Sequence, residues 1–156
     1  AKKIILAQRS QKRLEMAKEF EADVYVSTRK ENLKEVVMSE TEGLGADVIM
    51  IACSSLEAQK QGLELLAPGG MINFFGGLPS GSDPLQVYSN DIHYKQSFIT
   101  GSHGSIPRQH RIALEMMSSG QLNIKSLITH TFPLSEIKDA FAVAENKEGF
   151  KAIVKP

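Results

Sequence analysis

The chain has 156 residues, 42% hydrophobic and 23% charged, which is enough to enclose a core and ordinary for a globular protein. Its 18 Lys plus Arg balance 18 Asp plus Glu, so net charge points to neither nucleic acid nor an anionic membrane as a partner. No apolar run approaches the roughly 20 residues of a membrane span. The single cysteine, Cys53, excludes an internal disulfide and a multi-cysteine zinc site within the chain, and a reducing cytoplasm is the default expectation.

Lys3 to Ala7 reads as a strand, and Ser10 as the cap of a helix over Gln11 to Phe20 with Leu14 and Ala17 inward. Val24-Tyr25-Val26 is a short strand, followed by a helix from Glu31 to Glu40 with Leu33, Val36 and Val37 as its apolar side. Val48 to Ile51 is short, apolar and branched, which suits a strand buried on both faces. Ser55 caps the next helix, which carries Leu56, Leu63 and Leu66 and ends at Pro68-Gly69-Gly70. Met71 to Phe75 is a second buried strand. Strand, helix and strand in this order make a βαβ unit with parallel strands.

Leu78 to Tyr88, rich in Pro, Gly and Ser, is a loop, and Ser89-Asn90-Asp91 starts a short helix. Ser97 to Gly101 is a further strand. Pro107 opens the longest helix, Arg108 to Ser119, with Ile112, Leu114, Met116 and Met117 as core residues and Gly120 as its left-handed cap. Ile128 to Phe132 alternates as an edge strand would. A helix over Glu136 to Ala144, with Ile137, Ala140, Phe141 and Ala144 inward, and a strand over Lys151 to Lys155 close the chain. The alternation predicts an α/β fold with a parallel, doubly wound sheet and a small β-α-β appendage. Ligands of such sheets bind beyond the carboxyl ends of the strands, which here include Ala52-Cys53-Ser54 and Phe75-Gly76-Gly77.

The ordered set Ala46-Asp47-Val48-Ile49 to Cys53, Leu66-Ala67-Pro68-Gly69-Gly70, Phe75-Gly76-Gly77, Thr129-His130-Thr131-Phe132-Pro133-Leu134 and Gly149-Phe150-Lys151 resembles the coenzyme-binding half of medium-chain, zinc-dependent alcohol dehydrogenases. The sorbitol and threonine dehydrogenase-like branch is the nearest by eye, and the resemblance covers essentially the whole chain. It implies a Rossmann-like domain over residues 1–127, incomplete at its amino end, and a segment over 128–156 that returns to a catalytic domain. The family's first strand and glycine-rich phosphate turn have no counterpart here, and neither do its zinc ligands. The expectation is therefore a carboxyl-terminal fragment, inactive alone, whose strands Lys3–Ala7 and Val48–Ile51 keep unpaired edges and invite self-association.

The same resemblance implies the cofactor contacts. After the family's second strand an acid marks NAD, and a base accommodates the extra phosphate of NADP. This chain has Gln8-Arg9-Ser10 there, with Arg13 one turn on, so NADP(H) is favoured over NAD(H). Ala52, Cys53, Ser54, Phe75, Gly76 and Gly77 would lie along the cofactor. Gly101, Ser102 and His103 would stand near the nicotinamide, and Lys151 near the pyrophosphate. Cys53 reads otherwise as a small buried hydrophobe. His93, His103, His110 and His130 have no metal-ligand spacing, no catalytic group is identified, and zinc would come from outside this chain. The implied activity is hydride transfer between a secondary alcohol or polyol and the nicotinamide, in a homo-oligomer. Two other readings stand: a class I methyltransferase-like domain, which would end in an antiparallel hairpin, and a non-catalytic nucleotide-binding module.

Overall fold

The computed structural model describes residues 1–156. Seven strands and six helices alternate along it. Strand β1 (Ile5–Gln8) leads through helix α1 (Gln11–Ala17) to β2 (Val24–Ser27), and helix α2 (Leu33–Glu40) leads to β3 (Ala46–Ile51). Helix α3 (Leu56–Glu64) connects β3 to β4 (Leu66–Phe74), and α4 (Ser89–Lys95) precedes β5 (Phe98–Gly101). Helix α5 (Pro107–Ser118), strand β6 (Ile128–Pro133), helix α6 (Ile137–Glu145) and strand β7 (Lys151–Lys155) follow. Every strand pair is parallel: β1 with β2, β3 with β4, β4 with β5, and β6 with β7. The architecture is α/β and Rossmann-like. No antiparallel hairpin closes it, which removes the support for the methyltransferase reading.

Local chemistry sets the helix starts. Ser10 Oγ accepts from the Arg13 amide, Asn32 Oδ1 from the Lys34 and Glu35 amides, and Ser55 Oγ from the Ala58 amide. Each satisfies an amide that the first helical turn leaves without a partner. In α5 Pro107 occupies the first turn, and the Ile106 amide donates to Gln109 Oε1.

The parallel strands form separate sheets, β1-β2, β3-β4-β5 and β6-β7. Each of β1 and β3 therefore has one paired and one free edge, as expected. The main core lies between β3-β4 and α3, where Ile51, Leu66 and Ile72 are buried and Ile49, Ala58, Leu63 and Phe74 pack around them. The close approach of α3 depends on Gly62, because a Cβ there would stand 2.7 Å from Ile72 Cδ1 and 3.0 Å from Ile51 Cδ1.

Several expectations are corrected. Strand β4 starts at Leu66, not Met71, and Pro68-Gly69-Gly70 belongs to it rather than ending α3. Leu66 pairs with Ala46, then the register jumps so that Met71 pairs with Val48, with Gly69 at φ +74° in the bulge between them. Strand β3 is buried on one face only. Ile49 and Ile51 turn towards α3, but Val48 (69% exposed) and Met50 (59%) lie on the opposite face, and Met71 and Phe98 are exposed beside them in register. That face carries no covering helix. Helix α5 buries no residue. Ile112 and Leu114 stand two positions apart and cannot share a helix face; Ala113, Met116 and Met117 form the half-buried side instead. On α6 only Ala140 is buried, because Ile137 and Phe141 line an open cavity.

Candidate functional site

Within each sheet the parallel strands bring their carboxyl ends to one edge, and backbone hydrogen bonds continue past the ends of β1, β3 and β4. The Thr28 amide donates to Gln8 O at 3.2 Å and the Ser102 amide to Phe74 O at 3.2 Å. The Phe75 and Gly76 amides both donate to Ile51 O, at 3.1 and 2.8 Å. This folds the end of β4 onto the end of β3, so that a Cβ on Gly76 would meet the backbone of Cys53 at 2.6 Å. Ala52, Cys53 and Ser54 thus stand beside Phe75, Gly76 and Gly77 as one floor. All three of the first group are exposed, including Cys53, which was expected to be buried. It follows the last residue of β3 and so lies outside the sheet.

At the end of β1, Gln8 turns its side chain back on its own loop, where Oε1 accepts from the Arg9 amide at 2.8 Å and the Ser10 amide at 3.1 Å. Arg9 is exposed, and the ion pairs of the chain are Lys3–Glu40, Lys18–Glu15 and Lys34–Glu64, none of which engages it. Ser10 caps α1. Arg13 is half-buried and does not join Arg9 in solvent. Its guanidinium lies 5.6 Å from the centre of the Phe150 ring, a cation–π contact, and its Nε is buried without a partner. Phe150 also meets Phe20 edge-on at 5.8 Å, which ties β7 to the end of α1.

Arg13 and Lys151, assigned from sequence to different parts of the cofactor, line the same cavity of about 410 Å³. Lys147 joins them, no carboxylate lines the cavity, and Ile137, Phe141 and Val154 supply apolar walls. The three cations Arg13, Lys147 and Lys151 give this cavity a positive lining that suits a phosphorylated ligand. The carboxyl group with a displaced pKa, Glu15, lies away from this cavity on the exposed side of α1. Hydrogen bonds from Lys18 and then Gln11 hold it below its usual value.

Gly101, Ser102 and His103 leave β5 exposed at the rim. Two residues that sequence reasoning missed stand beneath them. Asn73 on β4 donates from Nδ2 to Thr100 Oγ1 and to Ser102 Oγ, both at 2.9 Å. The available signal was a polar residue at mid-strand in Met71-Ile72-Asn73-Phe74. The histidines do not converge: His130 Nδ1 bonds Thr129 Oγ1 at 3.0 Å, and His110 Nε2 bonds Ser105 Oγ at 2.8 Å. No three His, Cys, Asp or Glu side chains gather as a metal site. The residues present do not fit a zinc ion.

Residues 1–119 match the family described as zinc-binding dehydrogenase. The chain is 30% identical over 146 residues to a sorbitol dehydrogenase of Halalkalibacterium halodurans, covering 94% of this chain and 42% of that one. An alcohol dehydrogenase of E. coli CFT073, solved with NADH, superposes with a TM-score of 0.86 at 26% identity, over 99% of this chain and 45% of that one. A zinc-binding dehydrogenase of Sinorhizobium meliloti 1021, solved with NADP, gives a TM-score of 0.88 at 25% identity, over 100% and 46%. The chain spans less than half the length of these relatives, and its fold matches theirs throughout the part it covers. It belongs to the zinc-binding dehydrogenase family.

Proposed function

We propose that this chain is the cofactor-binding half of a cytoplasmic, NADP(H)-preferring dehydrogenase that moves a hydride between the nicotinamide and a secondary alcohol or polyol. The observation that carries the reading is the rim: parallel carboxyl ends meet a free Arg9 where an NAD enzyme would hold an acid. The solved relatives with NADH and with NADP support a dinucleotide and leave the choice between them to these residues.

In this reading Arg9 and Ser10 receive the phosphate of the adenosine ribose, and Gln8 shapes the loop that presents them. Arg13 and Lys151 neutralise phosphate from the side of β7. Ala52, Cys53, Ser54, Phe75, Gly76 and Gly77 line the path of the dinucleotide, and Gly101, Ser102 and His103 receive its nicotinamide end. The nicotinamide supplies the hydride chemistry when bound, and this chain binds and orients it. The alcohol pocket and the zinc belong to parts outside these residues, so the chain alone has no dehydrogenase activity. The free edges of β1 and β3 are the seat of a further strand. The test is titration with NADPH and NADH: tighter binding of NADPH supports the assignment, and equal or reversed affinities overturn the preference.

A further inference from the structure

The side chains of Asn73, Thr100 and Ser102 form a polar ladder across β4 and β5 whose protons can be followed one by one. An asparagine amide has two protons, and Asn73 gives one to Thr100 Oγ1 and the other to Ser102 Oγ, each at 2.9 Å. Thr100 gives its own proton to the Ile72 carbonyl at 3.4 Å. The opposite amide orientation would strand both amide protons, whereas the observed one leaves a single buried acceptor, Asn73 Oδ1, without a partner. Ser102 therefore accepts from Asn73, and its own hydroxyl proton has no protein acceptor. Ser102 is exposed, which leaves that proton free to be donated to a ligand.

We propose that Asn73 is a positioning residue that fixes Ser102 as a hydrogen-bond donor to the carboxamide oxygen of the nicotinamide in bound NADP(H). The inference rests on the cofactor reading above. In that reading the nicotinamide end of the dinucleotide lies at Gly101, Ser102 and His103, where the chain leaves β5. The acceptor offered by the nicotinamide ring there is its carboxamide oxygen. A hydroxyl already turned by Asn73 donates without first losing rotational freedom.

Three ligands separate the possibilities: NADPH, reduced nicotinamide mononucleotide, and 2′-phospho-ADP-ribose, which lacks the nicotinamide. Ser102→Ala should weaken the first two about five-fold, the size of one neutral hydrogen bond, and leave the third unchanged. Asn73→Leu, of similar shape, should weaken the same two ligands. Adding it to Ser102→Ala should cost nothing more, because Asn73 acts through Ser102. Asn73→Ser serves as a second variant, and thermal melts check that each variant folds. Losses that multiply in the double variant, or an unaffected Asn73→Leu, would overturn the positioning role. Equal weakening of 2′-phospho-ADP-ribose by Ser102→Ala would mean that Ser102 serves a phosphate, which overturns the donor assignment. Binding of all three ligands that ignores Ser102→Ala overturns this inference and leaves the site reading standing. No binding of any ligand to the unmodified chain overturns both.

Discussion

Gly76 lies against the backbone of Cys53 so closely that a single added carbon would stand 2.6 Å from the Cys53 carbonyl oxygen. Backbone cannot step aside as a side-chain tip can, so Gly76→Ala must part the ends of β3 and β4. The expected loss of stability is about 1–3 kcal/mol, the usual cost of overpacking. Chemical denaturation would check it. A variant as stable as the unmodified chain would mean that this contact yields freely.

Gly62 faces a different neighbour, the flexible Cδ1 ends of Ile72 and Ile51. Gly62→Ala gains about 1 kcal/mol of helix preference and meets an overpacking cost of about 1–3 kcal/mol. Ile72→Val removes the nearer methyl and alone costs about 0.5–1.5 kcal/mol. Combined, the two should be less damaging than their sum by about 1 kcal/mol. Simple additivity in denaturation midpoints would refute the predicted contact.

On the proposed reading, Gln8→Asp with Arg9→Leu restores the acid and removes the base at the end of β1. The ratio of dissociation constants for NADPH and NADH should then move about ten-fold or more towards NADH, from one charge-assisted contact of about 1.5–3 kcal/mol. An unmoved ratio would show that Arg9 has no part in choosing the cofactor.

Strands β1 and β3 each leave one edge without hydrogen bonds, and Val48 and Met50 expose an apolar face beside the second. Such edges recruit other chains. Sedimentation should show association that grows with concentration. A monomer at all concentrations that melts cooperatively would contradict this.

The order of elements was legible because it depends on local chemistry. Ser10 and Ser55 cap helices through amides three residues away, and Lys151–Lys155 is a strand bounded by the turn at Gly149. What escaped depended on distant partners. Pro68-Gly69-Gly70 looked like a helix stop, yet it is a bulge stabilised by pairing with β3. Cys53, with no basic neighbour in sequence, read as a small buried hydrophobe, but its exposure follows from where β3 ends. The pairing of Arg13 with Phe150 joins residues from opposite ends of the chain, and no local pattern announces it. Asn73 went unremarked in the sequence because only the register of β4 and β5 sets it opposite Thr100.

The most direct test of the carboxyl rim as a dinucleotide site is to follow the backbone amides of the chain by NMR while NADPH is added. The account predicts saturable shifts at Gln8 to Arg13, Ala52 to Ser54, Phe75 to Gly77, Gly101 to His103 and Lys151. Shifts confined to the opposite ends of the strands, at Ile5, Ala46, Leu66 and Phe98, would contradict it, as would a spectrum that millimolar NADPH leaves unchanged.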